Sequence, residues 1–550
     1  MHASNGLESV EVVETDPPTP SFLGLEYDGA GVFLRSSGRG SRLEREAVLA
    51  NRSSSIVYPG PAYDGALWLA RPRLRADGNI DALVCWDRRG RDWEKITIGP
   101  DGVLLTSAFA AGVMAMCVTY GQSLGKGSTP LSDAAAYTTS PVDPGNALMF
   151  DQDPFFNPYV GDGRTLRAFI DLKHVLHDQY GETHIGSFAL QMLALMNAAG
   201  AKIPGIYWSK GNGGQSMRDL GDDVEGYVPK GKIGGLWQDL IRSVHCARRE
   251  IVNTFRKKPA MLPMIFVHGE EDSYYPGLNA VEYCSGLRRV ADLWNADLRR
   301  GHEWASAAPD LPIVITQTKR TPPWMYSSGN RIYKRGVDGP RLAQWAAPYL
   351  DSRLVLAGPN HHLPAAKDGS HLTPAGYFRL GEQIARQYWA CTFGTGPRRF
   401  NPFAVIRQSP TEFDILFQMP SGSLALDTVN VTDALDGQKG FVCWDNATNS
   451  GVAISNVTIA SANSVRVVMS ADPRTTELWC DYALWGDSSS LLSQPATGPR
   501  GNLRTDTAYA SLLGSFGGPE TTDHDWCPAF RIPVPFWSGS PTVWMMDGRL

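Results

Sequence analysis

Ser123 stands four residues after the end of an apolar run, residues 113–119, that has the pattern of a buried strand. Open α/β sheets bind their ligands beyond the carboxyl ends of the strands, so a serine in this position can act as a nucleophile once a base removes its proton. A serine after a strand is as often only the N-cap of the next helix. The prediction of a nucleophile therefore depends on a base elsewhere in the chain.

The strongest candidate base is His371, which has Asp368 three residues before it. On a loop, this spacing lets the Asp368 carboxylate accept a hydrogen bond from Nδ1 of the imidazole. Nε2 is then left unprotonated and can accept the serine proton. Ser123, Asp368 and His371 are therefore a candidate catalytic triad. The alternative is that Asp368 and His371 only shape a turn.

Five short apolar runs separated by helical patterns predict a parallel sheet that brings these residues to one edge. The runs lie at 113–119, 203–208, 262–267, 313–317 and 354–357. Apolar residues at helical spacing predict helices near 236–255 and 377–388. Thr373 and Pro374 are a typical N-cap and first residue for the second helix. The predicted fold class is a three-layer α/β/α domain.

The sequences on both sides of this domain are predicted to be rich in β-strands, because short or alternating apolar patterns stand between turn signals there. The length of 550 residues favours three or four domains. We predict an N-terminal arm and β-rich module at 1–108, the α/β domain at 109–394, and a C-terminal β-sandwich or jelly roll at 395–550.

Four motifs, in the same order along the chain, resemble those of SGNH hydrolases. Gly-Gln-Ser at 121–123 resembles the first block of the family, and Asp-x-x-His at 368–371 resembles the last. Between them, 206–216 resembles the strand and glycine turn of the sialate O-acetylesterase-like branch of carbohydrate esterases, and 266–272 resembles its Trp-x-Gln-Gly-Glu-x-Asp segment. The resemblance covers about residues 112–390.

The resemblance implies an SGNH-type fold and hydrolysis of acyl esters, usually the removal of O-acetyl groups from sugars. Ser123 is then the nucleophile, His371 the general base and Asp368 its partner. The backbone N–H groups of Ser123 and Gly214 match the oxyanion donors of the family. His268 stands where the family carries Gln or Asn as a third donor, a role that a neutral imidazole with an inward N–H could take.

Two further polar residues of the same motifs, Gln122 and Glu270, are candidates for substrate contact. Glu270 and Asp272 match acidic positions of the family and are expected to brace the loops around the site. The alternative for both carboxylates is that they are solvated turn residues.

Composition and motifs argue against nucleic acid, a membrane and a metal ion as partners of this chain. With 51 Lys and Arg against 56 Asp and Glu, the net charge is −5 and no basic cluster stands out, so nucleic acid is not an expected partner. Neither a membrane span nor a signal peptide is recognisable. His174, His177 and His184 could share a helix face, but no closing set of metal ligands is evident. We predict no metal and no cofactor.

These observations together predict a serine esterase that removes O-acetyl groups from a carbohydrate, with a bacterial surface polysaccharide as the favoured substrate. The β modules would hold it on a polymer, in a homo-oligomer or in a virion. A phage tail fibre or tailspike suits the missing export signal. The competing source is a bacterial enzyme of glycan breakdown, either extracellular or cytoplasmic.

Two other classes of function remain open. The first is a non-catalytic receptor-binding or structural virion protein on a degenerate SGNH scaffold, which His268 motivates. The second is an esterase, lipase or thioesterase that acts on an acyl chain, because all of these enzymes use the same triad.

Overall fold

The structure is a computed structural model. It describes the backbone of seven strands between residues 24 and 105 and most of the chain from residue 113 to residue 546. Within the second region the described residues exclude 128–135, 151–168, 174–181, 200–202, 212, 218–233, 275–277, 300–309, 320–325, 328–329, 332–338, 367–368, 394–396, 436, 487–497 and 520.

The N-terminal part of the chain is rich in strands, as predicted. Its strands are β1 (Gly24–Tyr27), β2 (Val32–Arg35), β3 (Ile56–Pro59), β4 (Leu67–Leu74), β5 (Ile80–Trp86), β6 (Asp92–Ile98) and β7 (Leu104–Leu105). β1 pairs with β2, and β3 to β7 form an antiparallel sheet in chain order.

The central part of the chain alternates strands and helices. Its strands are β8 (Val113–Gly121), β9 (Ala147–Phe150), β10 (Phe169–Asp171), β11 (Gly205–Gly211), β12 (Lys258–Met261), β13 (Met264–Val267), β14 (Ile313–Gln317), β15 (Tyr326–Ser327), β16 (Asn330–Arg331) and β17 (Leu354–Pro359). Its helices are α1 (Ser123–Lys126), α2 (His184–Ala198), α3 (Gly234–Asn253), α4 (Glu270–Tyr274), α5 (Ala280–Arg299), α6 (Gly339–Leu350) and α7 (Pro374–Thr392). The five predicted strands and both predicted helices are present, each within a few residues of its expected ends.

The central sheet has the order β10-β9-β11-β8-β13-β14-β17, with β12 also paired to β8. All of these pairs are parallel except β10 with β9. The carboxyl ends of β8, β13, β14 and β17 therefore meet at one edge of the sheet. Ser123 and His371 both follow strands at that edge, as the sequence predicts.

Helices cover both faces of this sheet, so the predicted three-layer arrangement is confirmed. On one face α2 and α7 bury apolar side chains that include Phe188 and Ile384. On the other face α3 and α5 bury Trp237 and Trp294. Burial of one such large apolar side chain contributes about 1.5–3 kcal/mol. Among the described residues, no helix has the length and apolar character needed to span a bilayer.

Three strands of the sheet were not predicted from the sequence. β9 and β10 are only four and three residues long, which is too short for a periodic pattern to stand out. β12 contains Pro259, a residue that argues against a strand assignment. β12 and β13 both pair with β8 on the same side, one with its first half and the other with its end.

Nine of the thirteen described C-terminal strands form two sheets around one core, and the other four form two short two-stranded sheets. The thirteen strands are β18 (Asn401–Arg407), β19 (Glu412–Gln418), β20 (Leu424–Leu426), β21 (Phe441–Asp445), β22 (Ser450–Val452), β23 (Ile454–Ser461), β24 (Ser464–Met469), β25 (Leu478–Tyr482), β26 (Leu503–Thr505), β27 (Tyr509–Ala510), β28 (Thr522–Asp523), β29 (Phe530–Pro533) and β30 (Thr542–Met545). The two antiparallel sheets have the orders β23-β24-β19-β18-β30 and β22-β21-β25-β29. Phe413 and Val465 of the first sheet share a core with Phe441 and Phe530 of the second. This antiparallel region agrees with the predicted sandwich, while the two domain boundaries stay predictions.

A buried ionic group joins the C-terminal strands to α7. Asp523 of β28 is fully buried, and its two carboxylate oxygens accept hydrogen bonds from Arg379 (3.1 Å) and Arg386 (2.5 Å) of α7. Burial alone would raise the pKa of Asp523, but the charges of Arg386 and Arg379 outweigh it and hold the pKa well below its usual range. Glu382, between the two arginines, accepts hydrogen bonds from Ser511 Oγ and the backbone N–H of Leu512.

Replacing Asp523 with Asn tests this ionic group. Removing one partner of a buried ion pair costs about 3–5 kcal/mol, so we expect Asp523→Asn to lower the free energy of unfolding by that order in urea denaturation. Asp472→Asn is the matched control, because Asp472 is a partly exposed aspartate 3.6 Å from Arg407. An equal, small effect of both substitutions would contradict the account.

The same group predicts a dependence of stability on pH. A carboxyl with a depressed pKa in the folded state stabilises the protein above its unfolded pKa, about 4, and this contribution is lost as the pH falls toward the folded pKa. The stability difference between wild type and Asp523→Asn should therefore shrink below pH ~4. A difference that stays constant down to the acid limit of folding would contradict the assigned role of Asp523.

Candidate active site

Ser123 is placed by a tight turn at the end of β8. Gly121 has φ +136°, and a Cβ built on it would lie 2.0 Å from the carbonyl oxygen of Val267 in β13. The backbone N–H of Gln122 donates to that same oxygen at 3.1 Å. Only glycine permits this approach, so the chain turns directly into α1 with the half-buried Ser123 as its first residue.

The short helix α1 is held against β11 and α2. Ser209 Oγ of β11 donates to the carbonyl oxygen of Gly125 at 2.6 Å. A Cβ on Gly211 would lie 2.7 Å from Gln122 O and from Lys126 N, so β11 and α1 also meet through a glycine. Gly127, with φ +83°, ends the helix against Thr183, the N-cap of α2. These contacts fix the start of α1 at the sheet edge.

The glycine turn after β11 lies beside Ser123. A Cβ on Gly213 would be 3.9 Å from the Cβ of Ser123, and Gly214 follows with φ +65°. Both glycines are exposed. Gly214, the predicted oxyanion donor, is therefore the neighbour of a residue, Gly213, that lies beside Ser123. The role of Gly214 as a donor stays a prediction. Residue 212 lies outside the described residues.

His268 is almost completely buried and lies directly after β13. Its Nε2 is 2.9 Å from the carbonyl oxygen of Gln215, and its Nδ1 is 2.7 Å from the hydroxyl of Tyr283. A carbonyl oxygen only accepts, so Nε2 must carry the proton. The structure thus gives this N–H a backbone acceptor, whereas the sequence-based prediction was that it points at the oxyanion.

Gln122 and Glu270 bind each other. Gln122 Nε2 donates to Glu270, and Gln122 Oε1 accepts from the backbone N–H of Glu271 at 3.3 Å. Both side chains are at least 97% buried. These bonds brace the residue before Ser123 against α4, and Asp272 adds a bond from the backbone N–H of Met217 at 2.7 Å. The predicted contact of Gln122 and Glu270 with substrate stays a prediction.

His371 lies on the loop between β17 and α7. The backbone N–H of Ala366 donates to His371 O at 2.8 Å, and Ala365 forms a β-bridge with Leu372. Thr373 then caps α7 by accepting from Gly376 N at 3.2 Å, as predicted. His371 itself is half-buried. The predicted triad residue Asp368 lies outside the described residues, as do His174 and His177.

Two further histidines, His184 and His361, have partners of their own. His184 Nε2 is 2.9 Å from Thr119 Oγ1, and His184 is fully buried at the start of α2. His361 Nε2 donates to Cys527 O at 3.1 Å, and burial lowers the pKa of His361 to about 3. Across the described parts of the chain, no group of three or more His, Cys, Asp or Glu residues could hold a metal ion.

Glu182, which binds the loop at Tyr137 and Thr138 that packs against α7, was not identified from the sequence. Its buried carboxylate accepts from the backbone N–H groups of Tyr137 (2.6 Å) and Thr138 (3.0 Å) and from the Thr138 hydroxyl (2.9 Å). Tyr137 in turn packs edge-on against Phe378 of α7 at 6.2 Å between ring centres. A single glutamate before a helix gives no sequence signal for such a contact. Tyr283 and Gln344, which surround His268, were missed for the same reason.

Comparison with known proteins gives only distant likenesses. No protein-family model matches the sequence, and no curated protein matches it. Among solved structures, the carbohydrate acetylesterase XAC1771 from Xanthomonas citri is 13% identical with a TM-score of 0.47, and the match covers 87% of this chain and 99% of that one. The M. smegmatis aryl esterase is 12% identical with a TM-score of 0.25, over 50% of this chain and 99% of that one. A tail fibre protein from an E. coli phage is 12% identical with a TM-score of 0.25, over 72% of this chain and 38% of that one.

Replacing Gly121 with Ala tests the turn that presents Ser123. A Cβ there would meet backbone at a position with positive φ, so we expect Gly121→Ala to lower the free energy of unfolding by at least about 2 kcal/mol. Gly451→Ala serves as the control, because no atom lies within 4 Å of a Cβ built there. Thermal and urea denaturation measure both. A Gly121→Ala protein as stable as the control would show that the turn adapts freely.

Proposed function

We propose that the protein is a serine esterase in which Ser123 is the nucleophile and His371 the general base. The observation that carries the proposal is the position of Ser123 at the carboxyl end of β8, beside the exposed Gly213–Gly214 turn and on the same sheet edge as the His371 loop. Parallel α/β sheets bind ligands at this edge. Asp368 would orient the imidazole.

The chemistry follows from these groups. Ser123 Oγ attacks the ester carbonyl carbon while His371 Nε2 accepts the hydroxyl proton. The tetrahedral intermediate collapses, the bond to the leaving alkoxide breaks, and His371 returns the proton to that oxygen. Water then attacks the acyl-enzyme by the same route, which releases the acid and restores Ser123. The Asp368 carboxylate stabilises the imidazolium that forms in each half-reaction.

The backbone N–H groups of Ser123 and Gly214 are the proposed oxyanion donors. Both belong to turns that have hydrogen bonds of their own: Ser123 is the first residue of α1, and the carbonyl of Gly213 accepts a bond from Gln215 Nε2 at 3.1 Å. Donors that are fixed before the reaction stabilise the developing charge without reorganisation, and loss of one such donor typically lowers the rate by ~10²–10³-fold.

As substrate we propose an O-acetylated carbohydrate, and more narrowly a bacterial surface polysaccharide. The support is the resemblance of four motifs to the sialate O-acetylesterase-like branch of SGNH hydrolases, together with strand-rich regions on both sides of the α/β domain. A small free sugar would need no such regions, whereas a polymer or a virion would. We propose a phage tail protein as the context and place the domain limits at 108 and 394.

Acetate release from a panel of acetylated sugars and polysaccharides tests the function. We expect release by the wild type and a loss of at least ~10³-fold in Ser123→Ala and in His371→Ala, because these residues act as a unit. For the same reason the double variant should be little worse than either single variant. Ser455→Ala and His245→Ala, which lie in β23 and α3, are the matched controls and should keep full activity.

The outcomes separate the classes of function. A strong preference for octanoyl over acetyl esters would replace the carbohydrate by an acyl-chain substrate and keep the triad. Absence of hydrolysis by folded wild-type protein on every ester would favour a receptor-binding or structural protein. Additive losses in the double variant would contradict joint action of Ser123 and His371.

A further inference from the structure

The ring of His268 is held in place by two aromatic neighbours. It stacks on Phe266, with ring centres 5.2 Å apart and planes 18° apart. Tyr283 lies beyond its Nδ1 edge, with ring centres 5.9 Å apart, planes 21° apart and the hydroxyl on Nδ1. Gln344 Nε2 donates to the backbone carbonyl of His268 at 2.6 Å. A ring packed in this way has one orientation, so the direction of its N–H is fixed as well.

One nitrogen of the His268 ring donates a hydrogen bond and the other accepts one. Nε2 carries the proton and donates to Gln215 O. In the neutral ring Nδ1 accepts, so the Tyr283 hydroxyl donates to it. The pKa of Tyr283 is raised well above its usual value, mainly by burial and also by the negative charges of Asp272 and Glu270. The phenol therefore keeps its proton. Both ring nitrogens of His268 are therefore committed to groups of this chain.

The acceptor of this proton belongs to the glycine turn beside Ser123. Gln215 directly follows Gly214, and its side-chain amide donates back to Gly213 O. Two residues further on, the backbone N–H of Met217 is bound by Asp272. His268, directly after β13, and Asp272, in α4, thus hold the segment 213–217 at two points.

We propose that His268 is a positioning residue that holds the Gly213–Gln215 turn, and with it the Gly214 N–H, at a fixed place relative to Ser123. It does so by donating to Gln215 O and does not itself bind the oxyanion. The inference rests on the proposed esterase function and assigns Asp272 to the same task through Met217. Misplacement of a catalytic group by ~1 Å can lower a rate by ~10²-fold.

Steady-state kinetics test the positioning role. His268→Leu removes the donor to Gln215, and we expect kcat to fall by ~10–10²-fold with KM changed less than ~3-fold, because the turn acts on the transition state. His268→Gln keeps an N–H near the same place and should recover most of kcat. Asp272→Ala should lower kcat similarly, while Asp272→Asn, which keeps an acceptor for Met217, should not.

The two anchors should also be coupled. Because His268 and Asp272 hold one turn, and Asp272 Oδ2 also lies 3.7 Å from His268 Nδ1, the double variant His268→Leu/Asp272→Ala should lose less than the product of the two single losses. Glu271→Ala is the control, since Glu271 is on the same short helix and its contact with Gln122 is through backbone. Full independence of the two losses, or a normal kcat in Asp272→Ala, would overturn the proposal.

A crystal structure of the wild type with a phosphonate on Ser123 separates positioning from direct donation. The phosphonyl oxygen imitates the oxyanion. We expect Gly214 N–H to bind that oxygen while His268 Nε2 stays bonded to Gln215 O. A bond from His268 Nε2 to the phosphonyl oxygen would overturn the positioning role but leave the esterase intact. Failure of folded wild type to react at Ser123 would overturn the esterase proposal and this inference with it.

Discussion

The contact between Gly121 and the Val267 carbonyl is the constraint on which the rest of the site depends. Because no side chain separates them, β8 and β13 can end side by side and the chain can turn at once into α1. Gly211 allows the same closeness between β11 and α1. Ser123 is therefore held by neighbouring strands on both sides, and its position follows from the packing of backbone against backbone. Groups held on such rigid elements need little reorganisation during a reaction.

The second half of the site depends on a different interaction. His371 precedes α7, and α7 is fixed at its other side by the buried pairs of Arg379 and Arg386 with Asp523. Charges buried in this way must be matched, because each would destabilise the fold alone. The C-terminal strands thus contribute to the placement of the helix that follows His371. The strand that carries Asp523, β28, pairs with β27 outside the two larger C-terminal sheets, so this small hairpin is part of the framework that holds α7.

The sequence was sufficient to predict the strands and helices that follow a regular apolar pattern or carry a capping signal. The strands that precede Ser123 and His371 begin as continuous apolar runs, and Thr373 with Pro374 marks the start of α7. It was not sufficient where a role depends on contacts between distant segments. His268 matched a donor position in the motif, yet its N–H binds Gln215 O because Tyr283, 15 residues on, occupies the other ring nitrogen. Glu182 and Asp523 act across 44 and 137 residues of chain, a distance that no local pattern reports.

The most direct test of the central claim is to trap the acyl-enzyme. Wild-type protein is mixed with p-nitrophenyl acetate, quenched in acid within one turnover and digested for mass spectrometry. The account predicts one acetyl group on Ser123, present in wild type and absent from His371→Ala treated in the same way. An acetyl group on another residue, equal acetylation of the two proteins, or hydrolysis without any acetylated Ser123 would contradict the assignment of Ser123 and His371 as nucleophile and base.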